Sequence, residues 1–407
     1  MSKILHLGQI ASIKTGPFGS QLHQEDYVEI GMPIVTVEHL GQKTFGKNNL
    51  PKVSEADYNR LARYQLATGD VVFSRVGSVD RCSYVSEKET GWLFSGRCLR
   101  IRPNTRVVMP EYLYYYLTTQ KSQKFIRSIA VGATMPSINT QIMAEVPISL
   151  PDNKTQSAIA KILGSLDDKI AVNNKIIELA LKLAKLLPQC VQQEQQKYKL
   201  SEISNFISRG ITPKYVEDGF TVLNQKCIRN NLVDLNQARQ ASNLPKNHGR
   251  ILQQYDVLVN STGYGTLGRI SPWLHETAQL KTVITDTHIT TIRFDDQKVD
   301  PAFAAMVLST QENAVANLAE GSTGQTELKR ELIENFEIML PPFAIQHEVS
   351  QQIRPLLLAV MTLRNENQAL ARTRDELLPL LMSGKITVRD AEEASAEVGV
   401  DKHEVKE

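Results

Sequence analysis

The run whose spacing most invites a chemical reading is Gly263-Tyr264-Gly265-Thr266-Leu267-Gly268, which fits G-x-G-x-x-G and follows the strand-like Val257-Leu258-Val259. A dinucleotide fingerprint must also open a helix, so that the pyrophosphate meets the helix N-terminus. Here Arg269-Ile270-Ser271-Pro272 follows, and Pro272 would interrupt a starting helix. The run therefore reads as a loop between strands. No G-x-x-x-x-G-K-[ST] phosphate loop, H-E-x-x-H helix, G-x-S-x-G elbow or Asn/Asp-Pro-Pro-aromatic methyltransferase motif occurs. The eight histidines form no cluster with metal-ligand spacing. Cys82, Cys98, Cys190 and Cys227 are too scattered for a metal knuckle and too few to staple 407 residues. The expectation is a non-catalytic chain with no cofactor or metal site of its own, working in a reducing cytoplasm. No apolar run reaches the roughly 18 residues of a membrane helix, and MSKILHLGQI lacks the long apolar core of a signal peptide.

Hydrophobic residues make up 42% and charged residues 22%, ordinary globular values that argue against wholesale disorder, and the length predicts two or three domains. The net charge of +2 hides an uneven distribution: residues 1–150 carry +5, residues 199–341 carry −2, and the tail from Asp390 holds seven acids and two bases. Charge alone permits nucleic-acid binding without arguing strongly for it.

An internal duplication decides the organisation. Leu7-Gly8-Gln9-Ile10-Ala11, leading to Lys14-Thr15-Gly16, recurs as Leu200-Ser201-Glu202-Ile203-Ser204, leading to Ser208-Arg209-Gly210. Asp70-Val71-Val72-Phe73 with Gly77 recurs as Asp256-Val257-Leu258-Val259 with Gly263, and Gly132-Ala133-Thr134 as Gly321-Ser322-Thr323. Val146-Pro147-Ile148-Ser149-Leu150-Pro151 with Gln156 recurs as Phe336-Glu337-Ile338-Met339-Leu340-Pro341 with Gln346. The offset stays between 186 and 194, so the matches are in order and nearly in register.

Within each copy, short apolar runs alternate with Gly, Pro, Asn and Asp clusters, which predicts strands joined by turns. One helix is expected around 111–128, with a counterpart near 301–319. Each copy ends in a heptad stripe: Ile159, Leu163, Leu166, Ile170, Asn173, Ile177, Ala180, Ala184 and Leu187, then Val349, Ile353, Leu356, Val360, Leu363, Asn367, Leu370, Arg374, Leu377 and Leu381. Each stripe could pack on its own globular domain. The sustained 4-3 spacing, with one Asn near each middle, favours two helices roughly 45–50 Å long that pair with each other.

These segments resemble the specificity subunit of type I restriction–modification enzymes. The resemblance rests on Ile13-Lys14-Thr15-Gly16-Pro17-Phe18-Gly19-Ser20-Gln21-Leu22, on the duplicated Ile-x-Leu-Pro segment followed by Gln, and on Leu377-Leu378-Pro379-Leu380-Leu381-Met382-Ser383-Gly384-Lys385-Ile386. It covers about residues 4–388. It implies an α/β (α+β) fold of two tandem target recognition domains, 1–151 and 199–341. Two helical spacers, 152–198 and 342–388, would form an antiparallel coiled coil about a pseudo-twofold axis. Each domain would read one half of a split double-stranded DNA target. Two methyltransferase subunits, carrying S-adenosylmethionine, would dock to methylate adenine, and restriction subunits can join. A coiled-coil scaffold or other binding module without DNA sequence readout is the alternative. Two departures bear on the fold: Pro355 predicts a kink or late start in the second helix, and the second recognition domain is net acidic. The tail 389–407 is expected to be disordered, and truncation before Leu377 to leave the first domain folded.

Four pairs of loop sets are the expected DNA contacts. Lys14, Thr15, Ser20 and Gln21 match Arg209, Thr212 and Lys214. Ser74, Arg75, Ser78 and Arg81 match Asn260, Ser261, Thr262, Tyr264 and Arg269. Thr134 and Ser137 match Ser322, Thr323, Gln325 and Thr326, with Lys329 close behind. Glu38 and His39 match Gln225 and Lys226. Arg and Lys suit guanine edges or phosphates, Gln and Asn suit adenine, and hydroxyls suit either. Asn173 and Asn367 are expected to set the helix register.

Overall fold

The computed structural model describes residues 3–399 apart from 18, 20, 245–247, 276–281 and 321–325. It divides the chain into two units, residues 1–171 with 366–407 and residues 172–365. In the first, Lys3–His6 pairs antiparallel with Pro147–Leu150. A four-stranded antiparallel sheet runs in the order Ala11–Thr15, Cys98–Pro103, Val71–Ser74, Cys82–Tyr84. A second sheet runs Tyr27–Val28, Lys52–Val53, Met32–Val35, Leu93–Phe94, the last pair parallel. The second unit repeats all three. Gln196–Lys199 pairs with Glu337–Leu340. Ser204–Arg209, Ile289–Phe294, Val257–Asn260 and Ile270–Pro272 form one sheet; Tyr215–Val216, Arg239–Ala241, Phe220–Leu223 and Val283–Thr285 form the other. The continuous apolar runs Val71–Phe73 and Val257–Val259 are buried on both faces, which is why they do not alternate.

The matched polar residues hold the same place in each copy. Asp70 receives two 2.7 Å hydrogen bonds from Arg102, and Asp256 two from Arg293 at 2.7 Å. Burial raises the Asp256 pKa against the opposing pull of Arg293. Gln156 accepts from the Met109 amide (2.9 Å) and donates to the Pro151 carbonyl (3.0 Å), tying the start of the first long helix to that of helix Pro110–Thr118. Gln346 does the same with Asp300 and Pro341. Gly16 and Gly210 pass so close to another stretch of backbone that a Cβ would lie 2.1 Å from the Ser95 carbonyl oxygen and 2.0 Å from that of Thr285.

The long helices are Asn153–Leu186 and Phe343–Ser383. Within the first unit, Ile159, Leu163 and Leu166 share one core with Leu370, Leu377 and Leu381. Arg374 meets Asp167 at 2.6 Å and Lys169 meets Glu366 at 3.5 Å, so residue numbers rise on one helix as they fall on the other: the pair is antiparallel. Within the second unit, Ile177, Ala180 and Ala184 share a core with Ile353, Leu357 and Val360. Each stripe both faces the other helix's residues and completes a globular core. Asn173, buried, belongs to the second unit and the half-buried Asn367 to the first.

Several expectations need correction. The 111–128 helix is two, Pro110–Thr118 and Gln120–Ile129, because Thr119 leaves helical geometry (ψ 145°) and its hydroxyl caps the second by accepting from the Ser122 amide. Its counterpart is likewise split into Pro301–Ser309 and Glu312–Ala316. The helix through Pro355 neither starts late nor breaks. Pro355 is exposed, so water can satisfy the carbonyl one turn earlier that loses its amide partner. The first spacer stops short of residue 198, since Gln196–Lys199 is already a strand of the second copy. The tail is not disordered throughout: Val388–Glu397 is a helix whose start is fixed by a reciprocal cap between Thr387 and Asp390 (2.9 and 3.2 Å). Ala391 and Ser395 are buried, and Ala391 joins the first unit's core. Truncation before Leu377 would therefore strip that core of Leu377, Leu381 and Ala391.

Candidate nucleic-acid interface

The same frame of backbone bonds gathers the loop sets at one edge in each unit. In the first, the Ile138 amide donates to the Arg75 carbonyl (2.9 Å), and Val76 bridges Ser137, which also bridges Val131. In the second, the Leu328 amide donates to the Ser261 carbonyl (2.8 Å), and Thr262 bridges Glu327, which also bridges Glu320. The bridging residues are related by the duplication, yet the side chains differ at nearly every position.

In the second unit, residues 261–269 form a hairpin loop between antiparallel strands, with Gly263, Gly265 and Gly268 all at positive φ (109°, 70°, 80°). This confirms a strand-to-strand turn and rules out the dinucleotide fingerprint. Tyr264 stands fully exposed at the tip. Arg269 folds back onto the carbonyls of Gly265 (2.9 Å) and Ile228 (3.3 Å). Thr262 meets the His288 Nδ1 at 2.6 Å, and Arg209 spans Glu327 (2.5 Å) and the Leu328 carbonyl (2.9 Å). Asn260 donates to the carbonyls of Gln225 (2.9 Å) and Thr266 (3.1 Å). Lys329 pairs with Glu320 at 2.8 Å, and that bond holds its pKa up. Thr212, Lys214, Lys226 and Thr326 are exposed.

In the first unit, Arg75 is fixed by its amide to the Arg97 carbonyl (2.8 Å), with its guanidinium against the Gly96 carbonyl (3.3 Å). Arg81 donates to the Leu40 carbonyl, and Ser137 to that of Val131 (3.2 Å). Glu38, Ser78 and Thr134 are exposed and Thr15 half-buried. Gln21 accepts from the Tyr64 hydroxyl at 2.8 Å, and Lys14 lies over the ring of the same tyrosine.

Four expected contact residues are instead internal supports. Ser74, Asn260 and Ser261 are fully buried. Their side chains hold the loops, Ser74 to the Val76 carbonyl (2.8 Å) and Ser261 to the Thr290 hydroxyl (2.6 Å). His39 is buried with both ring nitrogens used: Nε2 donates to the Asn48 carbonyl (3.0 Å) and Nδ1 accepts from Thr36. Polarity in a turn marks loop-holding residues as readily as reading ones. Ser20, Ser322, Thr323 and Gln325 lie outside the described residues. Two further arginines outside the expected sets stand near Lys14: Arg63, in a segment with no duplicated motif, and Arg100, in the strand Cys98–Pro103.

Among the described residues no group of three or more His, Cys, Asp or Glu is arranged to hold a metal. Burial pushes the Cys98 and Cys227 thiols up to about 11, so neither is poised as a nucleophile. Among the described residues no helix is long and apolar enough to cross a membrane.

The family model described as "Type I restriction modification DNA specificity domain" matches residues 2–181 and again 192–371. The chain is 26% identical over 393 residues to a Methanocaldococcus jannaschii protein named as the MjaX type I restriction enzyme specificity subunit, covering 89% of this chain and 88% of that one. It is 24% identical over 328 residues to the MjaVIII specificity subunit of the same organism, covering 73% and 75%. The crystal structure of the type I restriction–modification S subunit from M. genitalium has the same fold, with a TM-score of 0.60 at 16% identity over 94% of this chain and 96% of that one.

Proposed function

This chain belongs to the type I restriction modification DNA specificity family, and on that premise we propose that it is the DNA sequence-recognition subunit of such a complex, each copy reading one half of a split target. The observation that carries the reading is the duplicated loop edge, with one backbone frame and two sets of side chains. Lys14 and Thr15 stand where the second copy has Ser208 and Arg209; Arg75 and Val76 stand where it has Ser261 and Thr262. Two heads that share a frame and differ in side chains suit two different half-sites. The chain is not itself an enzyme: in type I systems methylation and cleavage lie in separate methyltransferase and restriction subunits, and the chain associates with them and with DNA. A scaffold without DNA readout would have no use for two such edges.

The reading assigns base or phosphate contacts to the side chains at this edge that reach solvent: Lys14, Ser78, Arg81, Thr134, Thr212, Lys214, Lys226, Tyr264, Thr326 and Lys329. It assigns reading to residues 1–151 and 196–341, and spacing to the long helices. Two methyltransferase subunits would meet the exposed helix faces and the junctions at Pro147/Pro151 and Pro341/Pro342. In support, Val172, Ile176, Leu179, Leu183 and Leu186 repeat the 4-3 spacing on a face of the first long helix that is 41–57% exposed. The equivalent residues of the second helix are Thr362, Glu366, Ala369, Thr373 and Glu376, so the two docking faces would differ in character. Work on chromosomal and invading DNA would place the complex in the cytoplasm.

The test is to co-express the chain with its methyltransferase subunit and map methylated adenines by single-molecule sequencing. A bipartite motif is expected. Replacing residues 196–341 with the corresponding segment of another family member should change one half-site and leave the other half and the gap intact. A chimera that altered both halves, or a complex without a bipartite motif, would refute the reading.

A further inference from the structure

Residues directly opposite in an antiparallel ladder share a face of the sheet, and like charges there repel. Lys14 stands opposite Arg100 in the ladder between Ala11–Thr15 and Cys98–Pro103. Arg102, two residues on and on the same face, is matched by Asp70. Among the described residues Arg100 has no carboxylate in ion-pair contact, and Asp70 acts on it only from beyond that distance. It is only 7% exposed, its guanidinium lies 5.9 Å from the Phe94 ring centroid, and one nitrogen donates to the Gln65 carbonyl (3.1 Å). Its Nε is buried without a hydrogen-bond partner among the described residues.

Beside this pair the buried Tyr64 ring carries two cations, the Lys14 ammonium at 5.4 Å and the Arg63 guanidinium at 4.8 Å. Burial first, then the charges of Arg100, Arg63 and Arg102, lowers the Lys14 pKa. Among the described residues no carboxylate lies within 4 Å of the charged nitrogens of Lys14, Arg63 or Arg100. Asp70, already paired with Arg102, offsets part of the charge on Arg100 from a distance, and the fold leaves the rest of this positive charge without a contacting carboxylate among the described residues.

We propose that Lys14, Arg63 and Arg100 form a seat for one backbone phosphate of the DNA, with Lys14 and Arg63 in contact and Arg100 supplying field from beneath. The proposal rests on the DNA-recognition reading above. A phosphate fits better than a base edge because the seat's charged groups are all donors and Arg100 is sunk below the surface. A phosphate also fits the +5 of residues 1–150. Among the described residues of the second copy the matching positions are Ser208 and Thr291, two neutral hydroxyls opposite each other. The first copy is therefore the electrostatic anchor of the complex, and the second holds its half-site with fewer phosphate contacts.

The experiment measures binding of the full-length chain to a non-specific 40-base-pair duplex across a salt series, by fluorescence anisotropy. The variant Lys14→Gln/Arg63→Gln is compared with wild type and with Ser208→Ala. Removing one phosphate contact should reduce the slope of log K against log salt by about 0.9, equally for duplexes of any sequence. Ser208→Ala should leave the slope unchanged. In the absence of DNA, millimolar sulfate should raise the Tm of wild type more than that of the double variant. An unchanged slope together with equal sulfate stabilisation overturns the seat. So does a changed target sequence at unchanged slope, which would make the residues base readers. Loss of methyltransferase co-purification at unchanged slope also overturns it, since the anion would then be a partner's carboxylate. If wild type fails to bind any duplex at low salt, it is the DNA-recognition reading that fails, and the seat with it.

Discussion

Arg374→Leu is expected to destabilise the first unit by about 3–5 kcal/mol, because it leaves the Asp167 carboxylate buried without its counter-ion. Asp167 is 8% exposed and accepts from Arg374 (2.6 Å) and from the Tyr115 hydroxyl (2.7 Å). Burial alone would lower the Arg374 pKa; Asp167, helped by Asp375, more than reverses it, so the guanidinium stays charged at any ordinary pH. Thermal unfolding should show the loss as a Tm lower by roughly 6–20 °C for a unit of this size. The second copy supplies the control. Where the first has Tyr115, Asp167 and Arg374, it has Met306, Leu357 and Ala184, all buried. The triple variant Tyr115→Met/Asp167→Leu/Arg374→Ala should therefore match or exceed wild-type stability, since apolar replacement of a buried pair is often neutral or favourable. If Arg374→Leu alone left the Tm unchanged, the pair would not be what fixes this helix contact.

Adding one heptad to each long helix, after Ile170 and after Asn365, should lengthen the gap between half-sites by about three base pairs and leave both half-site sequences as they are. Seven residues of helix add about 10 Å, against about 3.4 Å per base pair. Whole heptads keep both seams in phase, so the cores that bury Leu166 and Ile177 on one helix and Val360 and Leu370 on the other are retained. Adding four residues to the first helix alone should instead abolish methylation, because it turns the buried stripe out of its core. Adenine mapping of the co-expressed complexes reads both outcomes. A heptad insertion that changed a half-site and not the gap would refute the ruler.

The duplication, the strands and the two seams were legible because each rests on local pattern: apolar runs, turn residues and 4-3 spacing. The matched Gln156 and Gln346 were visible as a motif, though their task of tying helix starts together needed coordinates. What pattern could not supply was the partner of a polar side chain. Ser74, Asn260 and His39 have the composition of contact residues, but each turns inward to satisfy backbone groups that bury with it. Arg100 shows the converse, a charge buried inside the strand Cys98–Pro103, where nothing in the spacing marks it. The terminal helix was not legible because its acidic composition matches that of a solvated tail, while its Thr-x-x-Asp start is short and the core that buries Ala391 is distant in sequence. Inside the first unit the seam carries an ion pair between Arg374 and Asp167, and nothing in heptad spacing distinguished Arg374 from a tolerated exception.

The route of the chain through the two units has a consequence for biosynthesis. The second unit is one uninterrupted segment, residues 172–365, whereas the first is closed by residues 366–407. A ribosome has therefore finished the second copy before it releases Leu370, Leu377, Leu381 and Ala391, the residues that complete the core of the first. The half translated first is the half that matures last, and until then its apolar surface waits open, a state prone to aggregation. Premature termination between residues 365 and 391 would leave a finished C-terminal reader attached to an unfinished N-terminal one.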